Sequence, residues 1–61
     1  MASAAEHRKT AAFHEDLAKR HEDAARRAEW KGLQAEAARQ RKARDAESAA
    51  AERERELALG G

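Results

Sequence analysis

The side chains best suited to chemistry in this chain are three histidines, His7, His14 and His21, and they stand seven residues apart. Imidazoles ligate metals, relay protons and change charge near physiological pH. A metal site on one helix places its ligands one turn apart, as in H-E-x-x-H. A spacing of seven separates them by about 10.5 Å along a helix axis. No two of the three can then share an ion, and no carboxylate stands four residues from any of them. His7, His14 and His21 remain metal-ligand candidates only between two chains. No Ser, Cys or Asp is spaced to complete a nucleophile–base set with them, and there is no glycine-rich phosphate loop. The sequence therefore points away from an enzyme and implies no cofactor. Imidazoles along one helix edge would repel once protonated, which predicts weaker association at pH 5 than at pH 8.

What positions the histidines is a repeat. Residues 14–27 read HEDLAKR and then HEDAARR. Aligned by sevens, one column holds His7, His14, His21 and Ala28. Three residues on stand Thr10, Leu17, Ala24 and Lys31, and next to them Ala11, Ala18, Ala25 and Gly32. These columns are neighbours on a helix and form a narrow stripe of small residues with imidazoles at its edge. Such a stripe lets two helices approach closely. The later residues Ala35, Ala38, Ala43, Ala46, Ala50 and Leu57 form a looser stripe without a strict heptad.

Nearly every residue from Ala4 to Ala58 is a good helix former, and no segment alternates like a strand. Ser3 and Glu6 fit a capping box at the start, and Gly60-Gly61 marks an end with a flexible tail. Four acid-first pairs, Glu15–Lys19, Asp16–Arg20, Glu22–Arg26 and Asp23–Arg27, support the first helix. The one interior interruption is Gly32, after Lys31, which reads as a helix C-cap. Folding there brings Asp23 opposite Arg41, Glu22 opposite Lys42, Lys19 opposite Asp45 and Arg8 opposite Glu56, although Arg20 then meets Arg44. The alternative is one helix of about 55 residues, about 80 Å long.

Composition bounds the rest. Of 25 apolar residues 18 are alanine, and only Met1, Phe13, Leu17, Trp30, Leu33, Leu57 and Leu59 are larger. A chain of 61 residues with so few has little core of its own, so self-association or a partner is expected. Thirteen basic and twelve acidic residues leave a net charge of +1, which argues against nucleic acid and against an anionic membrane. RQRKAR, residues 39–44, scatters its cations around a helix, lies ahead of acidic AERERE and lacks interleaved aromatics. No apolar run approaches a membrane span, and no signal-peptide core is present. A cytoplasmic location is the default. The closing LALGG shares only five residues with the tails of ubiquitin-like modifiers.

The stretch EHRKTAAFHEDLAKRHEDAARRAEWKGLQAEAARQ resembles small Ala/His-rich bacterial proteins with repeated H-x-x-A-A segments, an aromatic-x-Gly turn and a second alanine helix. That resemblance implies a helical hairpin and no activity. This chain departs from it in its higher Arg content and in having no histidine after position 21.

The sequence thus predicts one all-α unit over 1–61, a two-helix antiparallel hairpin dimerising into a four-helix bundle. Helix 1 covers about 3–31, the turn lies near 32–33, and helix 2 covers about 34–58. Expected contact residues are Phe13, Leu17, Ala18, Ala24, Ala25, Ala28, Trp30, Leu33, Ala46, Ala50 and Leu57, with Trp30 covering the turn. The expected partner is the chain itself. A larger protein bound through one helix face, as an inhibitor or adaptor, is the second expectation, and a nucleic-acid-binding helical dimer the third.

Overall fold

The computed structural model describes residues 2–60. Two α-helices, α1 (Ala4–Trp30) and α2 (Gln34–Gly60), run antiparallel and pack along their whole length. The result is a rod of 45 × 14 × 13 Å. The single-helix alternative is thereby excluded.

Each boundary has a local cause. Ser3 is extended (φ −77°, ψ 165°), and its hydroxyl accepts the Glu6 amide at 3.2 Å, one of the donors a helix start leaves unpaired. The other end of α1 closes in a Schellman motif. Gly32 has φ +75°, its amide donates to the Glu29 carbonyl at 2.9 Å, and the Leu33 amide donates to the Ala28 carbonyl at 2.8 Å. A Cβ on Gly32 would meet nothing within 4 Å, so the requirement for glycine there comes from the backbone conformation and not from crowding. Ser3 and Lys31 are caps, not helical residues. The far end of α2 differs from expectation: the helix runs through Gly60, which is therefore not part of a tail, and Gly61 lies outside the described residues. Met1 also lies outside them.

Among the described residues the core consists entirely of alanine: Ala11, Ala18, Ala25, Ala28, Ala37 and Ala51. Ala25 is fully covered, and with Ala28 and Ala37 it forms a continuous cluster beside the turn. Methyl groups bury little area apiece. They do let the two backbones approach closely, which brings longer side chains on either side within reach of the opposite helix. Trp30 does not cover the turn. It is 95% exposed, because it points away from the Ala28 side of the helix that Leu33 folds back upon.

Candidate functional site

The seam between the helices has two columns on each. On α1 the alanines Ala11, Ala18 and Ala25 alternate with His7, His14 and His21. Each imidazole reaches across to α2. His7 Nδ1 bonds Glu54 Oε2 at 2.5 Å, His14 Nδ1 bonds Glu47 Oε2 at 2.5 Å, and His21 Nδ1 bonds Gln40 Oε1 at 2.7 Å. The partners on α2 are themselves seven residues apart. His7, His14 and their two glutamates are about three-quarters covered. Every pair has residue numbers adding to 61, and so does the Leu33–Ala28 bond that closes the turn. The turn therefore sets the register, and the ladder repeats it every two turns of helix.

This register corrects the charge alignment expected from folding symmetrically at Gly32. Glu22 accepts from Arg44 Nη1 at 2.9 Å and stands 3.8 Å from Arg41, in place of Lys42. Arg41 also bonds Glu29, and Arg55 bonds Glu15. The hydrogen bond from Arg41 holds the Glu29 carboxyl below the usual glutamate range, and the same bond raises the Arg41 guanidinium above its own. Arg44 is raised as well, first by Asp45, which its Nε and Nη2 grip at 3.0 and 2.8 Å. Of the pairs expected along α1, Asp16–Arg20 closes to 3.0 Å and Glu22–Arg26 to 4.0 Å. Near the start of α2, Gln40 and then Arg39 lower the Glu36 carboxyl.

These bonds identify the sides of the hairpin. Glu15, Glu22 and Glu29 follow the alanine column of α1 and meet Arg41 and Arg55 of α2, so those five share one flank. Helical geometry then places Thr10, Leu17 and Ala24 on the opposite flank, the one that also carries Ala43, Ala50 and Leu57 of α2. Phe13 lies beside Leu17 on that flank and touches His14 edge-on, with ring centroids 5.7 Å apart. One flank is thus a lattice of ion pairs, and the other carries methyl groups, leucines and a phenyl ring. Thr10, Leu17, Ala24, Ala43 and Ala50 are half-buried, and Phe13 and Leu57 are more than half exposed.

Of the residues expected at contacts, Ala18, Ala25 and Ala28 lie in the seam. Leu17, Ala24 and Ala50 edge it on the apolar flank. Phe13, Trp30, Leu33, Ala46 and Leu57 are exposed. Gln40, Glu47 and Glu54 belong to the seam, and sequence reasoning missed them. The looser stripe assigned to α2 is corrected accordingly: its seam positions do recur by sevens, but most of them are polar.

The chemistry this arrangement permits is limited. Each imidazole meets one carboxylate or amide, and among the described residues no three His, Asp or Glu side chains gather where they could hold a metal ion. Every buried polar side-chain atom among them has a partner. The histidines face carboxylates and an amide across the seam, not one another. At the turn end, a shallow cavity of about 350 Å³ lies among Arg26, Arg27, Trp30 and Lys31. Among the described residues no helix is long and apolar enough to cross a membrane. Compared with families, with curated proteins and with solved structures, the chain matches none.

Proposed function

We propose that this chain is a non-enzymatic helical assembly module, whose work is to present a helix-pair surface to another protein surface, its own above all. One observation carries the reading. The hairpin closes on alanine and polar pairs, and Phe13, Trp30, Leu33, Leu57 and Leu59 are all left more than half exposed. A small helical unit ordinarily spends its large apolar side chains on its own core. Here they are left open, and Phe13 and Leu57 share one flank with the half-buried Leu17. The all-alanine core supplies little burial, so a second body covering that flank supports the fold as well.

Sedimentation equilibrium from micromolar to millimolar concentration tests the reading. The mass should rise to a multiple of the chain mass, and Phe13→Ser should shift that rise to higher concentration with helicity by circular dichroism unchanged. A wild-type chain monomeric throughout would overturn self-assembly.

A second reading, an adaptor bound to a larger protein, is favoured by Trp30. An exposed tryptophan ringed by Arg26, Arg27 and Lys31 has the composition of an interface anchor for an acidic surface. Trp30→Ala would then abolish capture of that target and leave self-association intact.

A further inference from the structure

We infer that the apolar flank is the docking face for a second copy of this chain, set head-to-tail, so that the turn of one hairpin lies over the chain ends of the other. The inference rests on the self-assembly reading and adds the surface, the partner and the direction.

The surface follows from what each flank leaves unsatisfied. On the ion-pair flank Glu15, Glu22, Glu29, Arg41 and Arg55 already engage one another within the hairpin. Covering that flank would strip water from charges and gain few new partners. The other flank carries Thr10, Leu17 and Ala24 of α1 and Ala43, Ala50 and Leu57 of α2, and Phe13 stands beside Leu17. Covering it takes Leu17, Phe13 and Leu57 out of water, and the Thr10 hydroxyl keeps its bond to the Glu6 carbonyl.

Position along the rod makes this patch self-complementary. The ladder register puts each residue of α2 level with the α1 residue whose number completes 61. Leu57 therefore stands level with residue 4, Ala50 with residue 11 and Ala43 with residue 18. With Ala24 at the far end, the patch is centred near residue 14, close to the middle of α1 and beside Phe13. A two-fold axis through that point lays the patch on itself whichever way the second copy runs.

Charge chooses the direction. Residues 17–45, the turn half, hold nine Lys or Arg and five Asp or Glu; the rest of the chain holds four and seven. The halves carry net charges of +4 and −3. Parallel copies would set like halves together, and head-to-tail copies set +4 against −3 at both ends. In that arrangement α1 lies along α1 of the second copy, Phe13 near its own counterpart, Leu17 near Thr10, and Glu6 toward Arg20. Along α2, Ala43 lies near Ala50. Arg53 and Arg39 form the one like-charged approach, which the Glu36–Arg39 pair at 2.5 Å softens.

The test uses the absence of native cysteine. Ala43→Cys and Ala50→Cys are made in separate copies and mixed under mild oxidation, with helicity checked first. Head-to-tail pairing gives the mixed disulfide between them. Parallel pairing would instead join Thr10→Cys to Ala50→Cys. Wild-type dimer is measured alongside, so that the outcome does not depend on the variants folding. Raising salt should weaken a head-to-tail dimer several-fold, whereas a parallel dimer would tighten as its repulsion is screened. A Thr10–Ala50 crosslink or tightening in salt would overturn the direction and leave self-assembly standing. A dimer forming neither crosslink would overturn the surface. A monomer at every concentration would overturn both the inference and the reading beneath it.

Discussion

The two flanks of this hairpin are built from the same helices and differ in how far each is finished. On one, Glu22 alone engages Arg41 and Arg44, and Glu15 and Glu29 are held by Arg55 and Arg41. On the other, Leu17, Ala24, Ala43 and Ala50 are half covered, and Phe13 and Leu57 face outward. An ion pair at a surface contributes only about 0–1 kcal/mol, since water competes for both partners. Its value lies in direction: a guanidinium must find its carboxylate, and that fixes which face of each helix turns inward. A leucine has no such preference for direction, but covering one contributes about 1.5–3 kcal/mol. The charged flank therefore specifies the hairpin, and the apolar flank holds the free energy still available for association.

The sharpest way to break both flanks together is to force the seam between them. Ala25 has no exposed surface. Ala25→Leu would push the helices apart or drive the new side chain off its rotamer. A loss of about 1–3 kcal/mol is expected, read as a fall in thermal midpoint of roughly 4–8 °C per kcal/mol. An unchanged midpoint would mean that the alanine seam is not the closest approach.

Next in size is a contrast between the flanks. Leu17→Ser should raise the dimer dissociation constant at least tenfold, from the loss of about 1.5 kcal/mol or more of burial, and lower the melting of the dilute monomer by less, since the side chain is only half covered there. Glu22→Gln should do the reverse, lowering the monomer's melting slightly without changing association in low salt beyond the effect of one charge. Equal effects on both measurements would erase the distinction between the flanks.

The histidine ladder tests how the seam chooses its register. His14→Ala strands the Glu47 carboxylate in a three-quarters covered position, at a cost of about 1 kcal/mol, the low end for an unpaired polar group because water still reaches it. Replacing both, His14→Leu with Glu47→Leu, removes the stranded group and should restore or exceed the original midpoint. A double variant as unstable as the single one would show that the contact between the helices, not the pairing, was lost.

Much of this architecture is legible in the residues, and the remainder is not for an identifiable reason. Gly32 is the one interior residue that combines weak helix propensity with freedom to adopt φ +75°, so the break can be read directly. Ala11, Ala18 and Ala25 recur by sevens and lie where that period places them. The same search fails on α2, because it looks for apolar residues and the seam there holds Gln40, Arg44, Glu47 and Glu54 among its alanines. Their period of seven shows only when polar partners for the histidines are sought. The register was missed by the same omission. Folding at Gly32 by symmetry overlooks the Leu33–Ala28 bond, which closes the turn lower on α1 and shifts each pairing by three. Exposure of Trp30 and Phe13 is not readable at all, since a large apolar residue on a helix carries no sign of whether its partner belongs to the same chain.

The smallest expected effect separates the flanks by acidity. The Arg41 hydrogen bond lowers the Glu29 carboxyl below its ordinary range, and burial opposes that shift only in part. A carboxyl whose folded pKa lies below its unfolded one contributes stability that is fully present above the unfolded value and is lost as pH falls through the folded one. Acidification through the carboxylate range should therefore loosen the charged flank. The midpoint of thermal melting, followed in dilute monomer at constant ionic strength, should fall over that range, and Glu29→Gln should flatten the part of the slope that this pair contributes. Protonation there also makes the turn half more positive while neutralising carboxylates on the chain-end half. A head-to-tail dimer would weaken in the same range, and Leu17 and Phe13 would supply whatever association remained. If Glu29→Gln left the slope of monomer melting unchanged, the Arg41 pair would be a surface contact without a share in holding the hairpin closed.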